Sequence, residues 1–199
     1  METLIACAGL IALGAITPGP NNLAVLRIAV AKGMAAALPA TAGIVLGGLT
    51  MLALGQMGLA ALIETHPWLR HAIAVCGGTY LAWLGLVLVW RSFQPGRAMD
   101  PDASVPDGAL ALFAFQFTNP KAWALVLTVS AAAPEAGADT ATMLLFALFL
   151  AIPSICLIAW AAFGRLIAPL LSNALARARF DRAMGALLAA SVLVLVNKS

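Results

Sequence analysis

The sequence predicts an all-α membrane protein of six transmembrane helices, built as a 3+3 inverted-topology repeat with the first and fourth helices broken at proline motifs. Three observations carry that prediction. Of 199 residues, 63% are hydrophobic and only 10% charged, which leaves too little polar surface to cover a water-soluble globule of this size. The apolar residues fall into six stretches of the roughly 20-residue length that one hydrocarbon crossing needs, joined by short polar connections. Two of those stretches, one in each half, are interrupted by proline at a similar depth.

The first stretch, about 3 to 26, carries Thr17-Pro18-Gly19-Pro20-Asn21-Asn22. Met1-Glu2-Thr3 lacks a basic leader region and the apolar run outlasts a signal peptide, so this stretch is expected to remain as a span. The second, about 38 to 63, has Gly43 and Gly47 as a small-xxx-small pair, with Gly48 and Gly55 a heptad apart; the third, about 70 to 90, has Gly77, Gly78 and Gly85. Such glycines let helix backbones approach closely, within one bundle or at a dimer face. Residues 91 to 107 have linker composition, with Pro95, Gly96, Pro101, Pro106, Asp100, Asp102 and Asp107. They divide a single domain, 1–199, into halves of about 1–90 and 108–199. The fourth stretch, about 108 to 133, contains Thr118-Asn119-Pro120-Lys121, and the fifth, about 141 to 163, contains Pro153 as a hinge or a kink. The sixth, about 181 to 197, is shortest, and Arg182 and Lys198 snorkel outward from its ends.

The cations are distributed unevenly. Arg27, Lys32, Arg91, Arg97, Arg165, Arg177, Arg179 and Arg182 follow the odd-numbered stretches, whereas Arg70 and Lys198 lie on the other side. The positive-inside rule then puts the linker in the cytoplasm and both termini outside. This placement makes lipid, and not nucleic acid, the surrounding of a chain of net charge +3. Cys7, Cys76 and Cys156 form no CxxC pair and read as packing residues, so neither a metal nor a cofactor is expected. His66 and His71 beside Glu64 and Arg70 read as solvated or headgroup-facing.

Thr and Asn are favoured N-caps and proline is favoured at the first helical position, so Thr17-Pro18 and Asn119-Pro120 both read as helices restarting in mid-span. A restarted helix presents unpaired N–H groups and about half a unit of positive charge. In inverted halves both positive tips face one central volume, which attracts an anion. Lys121 lies about twelve residues from either end of its stretch, ~18 Å at 1.5 Å per residue, too far to snorkel. No carboxylate is expected within a span core, since Glu64, Glu135 and Asp139 are near ends. A ligand carboxylate can supply the missing countercharge; alternatively Lys121 bonds the carbonyls that Pro120 frees. Asn21, Asn22 and Asn119 offer amide donors and acceptors, and Gly19 permits close approach. Tyr80 and Gln116 add polar contacts or are satisfied in helix packing.

At these residues the chain resembles the LysE/RhtB family of bacterial amino-acid exporters. The resemblance is carried by Pro18-Gly19-Pro20-Asn21, Gly33 with Gly43 and Gly47, Gly78-Thr79-Tyr80-Leu81 with Gly85, Asn119-Pro120-Lys121-Ala122, and Arg182 with Gly185. It implies a six-helix inner-membrane exporter of amino acids or close derivatives, driven by the proton gradient, with the motif residues of both breaks at the substrate. Asn21-Asn22 is similar to the branch exporting cysteine and O-acetylserine. Phe113 to Phe117 is bulkier than the small-residue segment of many members. Three other readings stand beside this one: an exporter of metal or other ions, an intramembrane enzyme, and a non-transporting scaffold subunit. The first would need clustered ligands in the spans and the second paired cysteines or a nucleophile with its base, neither of which occurs. Whether the chain forms a homo-oligomer is left open by the sequence.

Overall fold

The computed structural model describes residues 2–94, 106–133 and 140–196. Arg97, the linker residues Pro95, Gly96, Asp100, Pro101 and Asp102, then Glu135, Asp139 and Lys198 lie outside the described residues. Among the described residues the chain is helical, without a strand. The elements are α1 (Glu2–Ile16), α2 (Pro20–Lys32), α3 (Met34–Leu54), α4 (Ala60–Thr65), α5 (Pro67–Ser92), α6 (Ala109–Thr118), α7 (Pro120–Ala132), α8 (Thr140–Ile167) and α9 (Ala174–Val196).

Local chemistry sets the boundaries. Proline at the first helical position opens α2, α5 and α7, where the N–H it lacks has no helical partner to lose. Gly33, at φ +86°, ends α2 and donates its N–H to Ala29 O. A short π-helical segment, Gly55–Leu59, joins α3 to α4, and Gly58 at φ +107° turns the chain there in a conformation that L side chains rarely adopt. Pro153 lies inside α8, which continues unbroken across it.

Each of the six apolar stretches corresponds to one helix or one broken helix pair. Met34–Thr65, Pro67–Ser92 and Thr140–Leu171 are each long and apolar enough to cross a bilayer. The α1–α2 pair qualifies as a fourth crossing, bent by 50° at its break. Side-chain exposure is inverted relative to a soluble protein: Ile5, Leu13, Leu46, Leu86, Leu110 and Leu166 face outward. Surfaces of that kind are stable against lipid and are a liability in water.

The interior is assembled around α3 and α8. The first packs on α2 and α6, the second on α1 and α2, and they pack on each other. The glycines noted in the sequence make this possible. A Cβ at Gly43 would lie 2.0 Å from Ala109 O, and one at Gly47 would lie 2.8 Å from Phe113 O, so this pair is the groove that receives α6. Gly77 likewise makes room for Thr118 O at the break between α6 and α7. Gly85 on α5 and Gly185 on α9 meet reciprocally, each within 2.6 Å of the other's carbonyl oxygen if given a Cβ. Gly85 also approaches Ala189 while Gly185 approaches Val89, which makes α5 and α9 antiparallel.

Gly43→Ala should lower the thermal unfolding temperature of the purified chain, since backbone cannot yield as a side-chain tip does; overpacking costs about 1 to 3 kcal/mol. Gly9→Ala, with nothing within 4 Å of the added methyl, should leave it unchanged or raise it slightly. Equal behaviour of the two variants would contradict the groove assignment.

Candidate functional site

The two proline breaks, a hundred residues apart in the chain, touch. At the first, α2 restarts two residues later than its sequence suggests: Gly19 occupies the N-cap and Pro20 the first helical position. Thr17 is not the cap. Its hydroxyl instead donates to Leu13 O, closing the end of α1. At the second break Asn119 is the N-cap as expected, its side-chain oxygen accepting from Lys121 N at 3.1 Å.

The freed backbone carbonyls find side-chain partners at both places. Asn22 Nδ2 donates to Ala15 O at 2.9 Å and Thr17 O at 3.1 Å, and Trp123 Nε1 donates to Phe117 O at 2.9 Å. Lys121 Nζ crosses to the other break, donating to Thr17 O at 2.5 Å and to Pro18 O at 3.5 Å. The lysine therefore does seal a proline break, but it is the break of the opposite half and not the one Pro120 creates. A Cβ at Gly19 would fall 2.8 Å from Lys121 Nζ, so only glycine leaves the ammonium its place.

A network of side-chain amides joins the breaks from the other side. Asn21 and Gln116 exchange hydrogen bonds at 2.9 and 3.0 Å, and Asn119 Nδ2 donates to the same Asn21 oxygen at 3.0 Å. Gln116 and Asn119 are each 1% exposed, so this network lies in a medium where an unpaired amide would be costly.

Between the breaks lies a cavity of ≈ 640 Å³, counting space open to its surroundings. Of the expected site residues, Gly19, Pro20, Asn21, Asn22, Gln116, Asn119 and Lys121 line it. Thr17 and Pro18 contribute the carbonyls that hold Lys121, and Pro120 opens α7 directly behind. Tyr80 is not among the cavity's lining residues: its ring packs on Trp83 and Phe115, against the core cluster that holds Ile44, Val45 and Leu157 of the cavity wall. The bulk of Phe113 to Phe117 is turned away, with Phe113 stacked on Phe117 and Gln116 alone of that segment reaching the cavity. The opposite wall is apolar, including Ile44, Val45, Leu125, Val126, Phe149 and Leu157, and Pro153 also lines it. No carboxylate is among its described lining residues.

The remaining polar residues lie elsewhere. Among the described residues no cluster of three or more His, Cys, Asp or Glu is positioned to hold a metal ion. Cys7, Cys76 and Cys156 are free thiols on α1, α5 and α8. His66 and His71 are exposed and bond carbonyls of their own turns, Leu62 O and Pro67 O. One expectation is overturned: Asp181 is a wholly buried carboxylate within α9, paired to Arg27 of α2, a residue expected in a connection and here 7% exposed. Spacing gives no hint of a pair separated by 154 residues.

Residues 12–197 match the LysE type translocator family. The chain belongs to that family. The chain is also similar to curated bacterial proteins. It is 34% identical over 112 residues to the leucine efflux protein of Klebsiella pneumoniae subsp. pneumoniae, covering 54% of this chain and 51% of the relative. It is 34% identical over 113 residues to the leucine efflux protein of Enterobacter sp. (strain 638), with shares of 54% and 52%. For the leucine efflux protein of Salmonella typhimurium the identity is 32% over 109 residues, with shares of 54% and 51%. The chain thus spans about half the length of the curated relatives it matches. No solved structure matches this chain.

Asn21→Ala should destabilise the LysE type translocator more than its own size suggests, because it leaves donors of both Gln116 and Asn119 unpaired, at about 1 to 3 kcal/mol each. A thermal unfolding series of Asn21→Ala, Asn119→Ala and the double variant should show strong non-additivity. Simple additivity would mean that the amides do not act as a network.

Proposed function

We propose that this chain is an efflux transporter of the bacterial inner membrane that exports amino acids with neutral, apolar side chains, leucine-like in size, by alternating access. The observation that carries this reading is the Lys121 ammonium at the junction of the two breaks, in a cavity whose described lining contains no acid. A zwitterionic substrate fits that asymmetry. Its carboxylate faces Lys121 and the first turn of α2, which lacks a side-chain cap, and its ammonium is received by carbonyl and amide oxygens. Its side chain lies on the wall of Ile44, Val45, Leu125 and Phe149. A cationic side chain would find no countercharge there. The relatives named as leucine efflux proteins support the same substrate class.

In this reading all six helical units cross the bilayer as two inverted halves, both termini lie outside, and the proton gradient drives export. The antiparallel α5–α9 pairing, the third and sixth units of the chain, agrees with that arrangement. Thr17, Pro18 and Pro120 act through the backbone geometry they impose, Asn21, Asn22, Gln116 and Asn119 through their amides. Tyr80 supports the site through its ring contact with Phe115 beside Gln116.

The test is transport by purified chain in proteoliposomes loaded with labelled leucine. Lys121→Met should reduce leucine transport by roughly 10- to 100-fold, the equivalent of a lost charged hydrogen bond, with insertion unchanged. Normal transport by Lys121→Met would refute the assignment. Lysine should be a poor substrate compared with leucine, and collapsing an imposed proton gradient should stop net uphill movement of leucine while leaving exchange intact.

A further inference from the structure

Arg27 and Asp181 form a second polar centre, outside the cavity between the breaks. Asp181 is 0% exposed, and its two carboxylate oxygens accept from Arg27 Nε at 3.2 Å and Nη2 at 3.4 Å. Both separations exceed the 2.7 to 2.9 Å typical of a tight charge-assisted bond. Arg27 also lines a narrow cleft of ≈ 340 Å³, counting space open to its surroundings, whose other walls include Leu84 and Leu88 of α5, Leu112 and Phe115 of α6, and Met184 of α9. Pro20 lines both cavities, and the second runs along α2 past Leu23, Ala24 and Arg27 to Pro106, beside Asp107, which pairs with Lys32 at the end of α2.

The pair also ties α9 to α2, beside the apolar contacts that α5 makes with α2 and the close approach of Gly77 to the break between α6 and α7. α9 lies chiefly on α5, locked to it by the reciprocal approach of Gly85 and Gly185. α2 lies chiefly on α8 and α3. The α5–α9 pair is thus a two-helix arm, entered through the non-helical residue His66 before α5. Its contacts with α2 are an apolar cluster of Leu23, Leu84, Leu88 and Leu188, together with Arg27–Asp181. Apolar contacts slide, and an ion pair in a low-dielectric surrounding is either made or broken. On opening, water enters and rehydrates both charges, so the closed and open arrangements are discrete states.

We propose that Arg27–Asp181 is the latch holding the α5–α9 arm against the α2–α3–α8 body, and that the second cavity is the passage, narrow in this conformation, through which substrate reaches the first. This rests on the export reading above. Arg27 and Asp181 are positioning residues, since neither lines the first cavity.

The test uses the full chain in membrane vesicles, with Cys7, Cys76 and Cys156 replaced by Ser and Met184→Cys as a reporter of the second cavity. A membrane-impermeant maleimide is applied from the side bearing Lys32, with and without saturating leucine, while leucine binding is measured separately. Leucine should change the labelling rate by at least about threefold, and Asp181→Asn should label fast irrespective of leucine. Labelling that ignores leucine while leucine is bound would overturn the latch, as would Asp181→Asn labelling no faster than its parent. If leucine fails to bind, the export reading falls and the Asp181→Asn comparison alone decides the latch. Should Asp181→Asn not fold, Arg27→Cys/Asp181→Cys joined by a reducible thiol crosslinker replaces it. Leucine transport should vanish when they are joined and return on reduction, and full transport while joined would overturn the proposal.

Discussion

Backbone that leaves a helix inside an apolar surround must find its hydrogen-bond partners within the protein, and this constraint organises the interior. Each proline break frees carbonyls that no longer have a helical partner. The chain answers by setting the breaks face to face. Lys121 of the second break holds the carbonyls of Thr17 and Pro18 at the first, and Asn119 of the second bonds Asn21 of the first. Neither half is complete without the other, so the polar centre is also the joint between halves. Packing is subordinate to that joint: Gly43, Gly47 and Gly77 thin α3 and α5 where α6 and its terminal carbonyl must come in.

Much of this was legible in the sequence because it is local or compositional. Length and apolarity locate the six stretches, and the proline motifs locate the breaks, since each follows from chemistry within a few residues. Lys121 stood out because a charge so far from either end of its stretch cannot reach water. What pairs with what was less legible. Thr17-Pro18 and Gly19-Pro20 are both acceptable helix starts, and local propensity does not choose between them; the approach of Lys121 to Gly19 accompanies the second. Tyr80 and Gln116 are both lone polar residues in apolar helices, and only their rotation about the helix axis separates one in the cavity from one on a neighbouring ring. Arg27 counts in the sequence among the cations of a connection, and nothing local marks Asp181 as its partner, yet the folded chain buries both.

Membership in the LysE type translocator family gives this geometry a biological frame, and the geometry in turn gives the family name a physical content. A translocator needs a polar interior that is open to a small solute and satisfied when the solute is absent. Here the amides of Asn21, Gln116 and Asn119 bond one another and the nearby backbone, while Lys121 rests on neutral carbonyl dipoles instead of an acid. The cavity thus keeps one positive charge without a fixed anion beside it among its described lining residues.

The Asn21 oxygen accepts from two neighbouring amides at once, which makes a single atom of that side chain decisive for the chemistry of the whole interior. Hydrolytic ageing of Asn21 to an aspartate would keep its shape and those two acceptor contacts, lose the donor to Gln116, and place a permanent anion in the same lining as Lys121. The cavity lining would then carry its own counter-ion beside Lys121, and the buried Gln116 carbonyl would lose its donor.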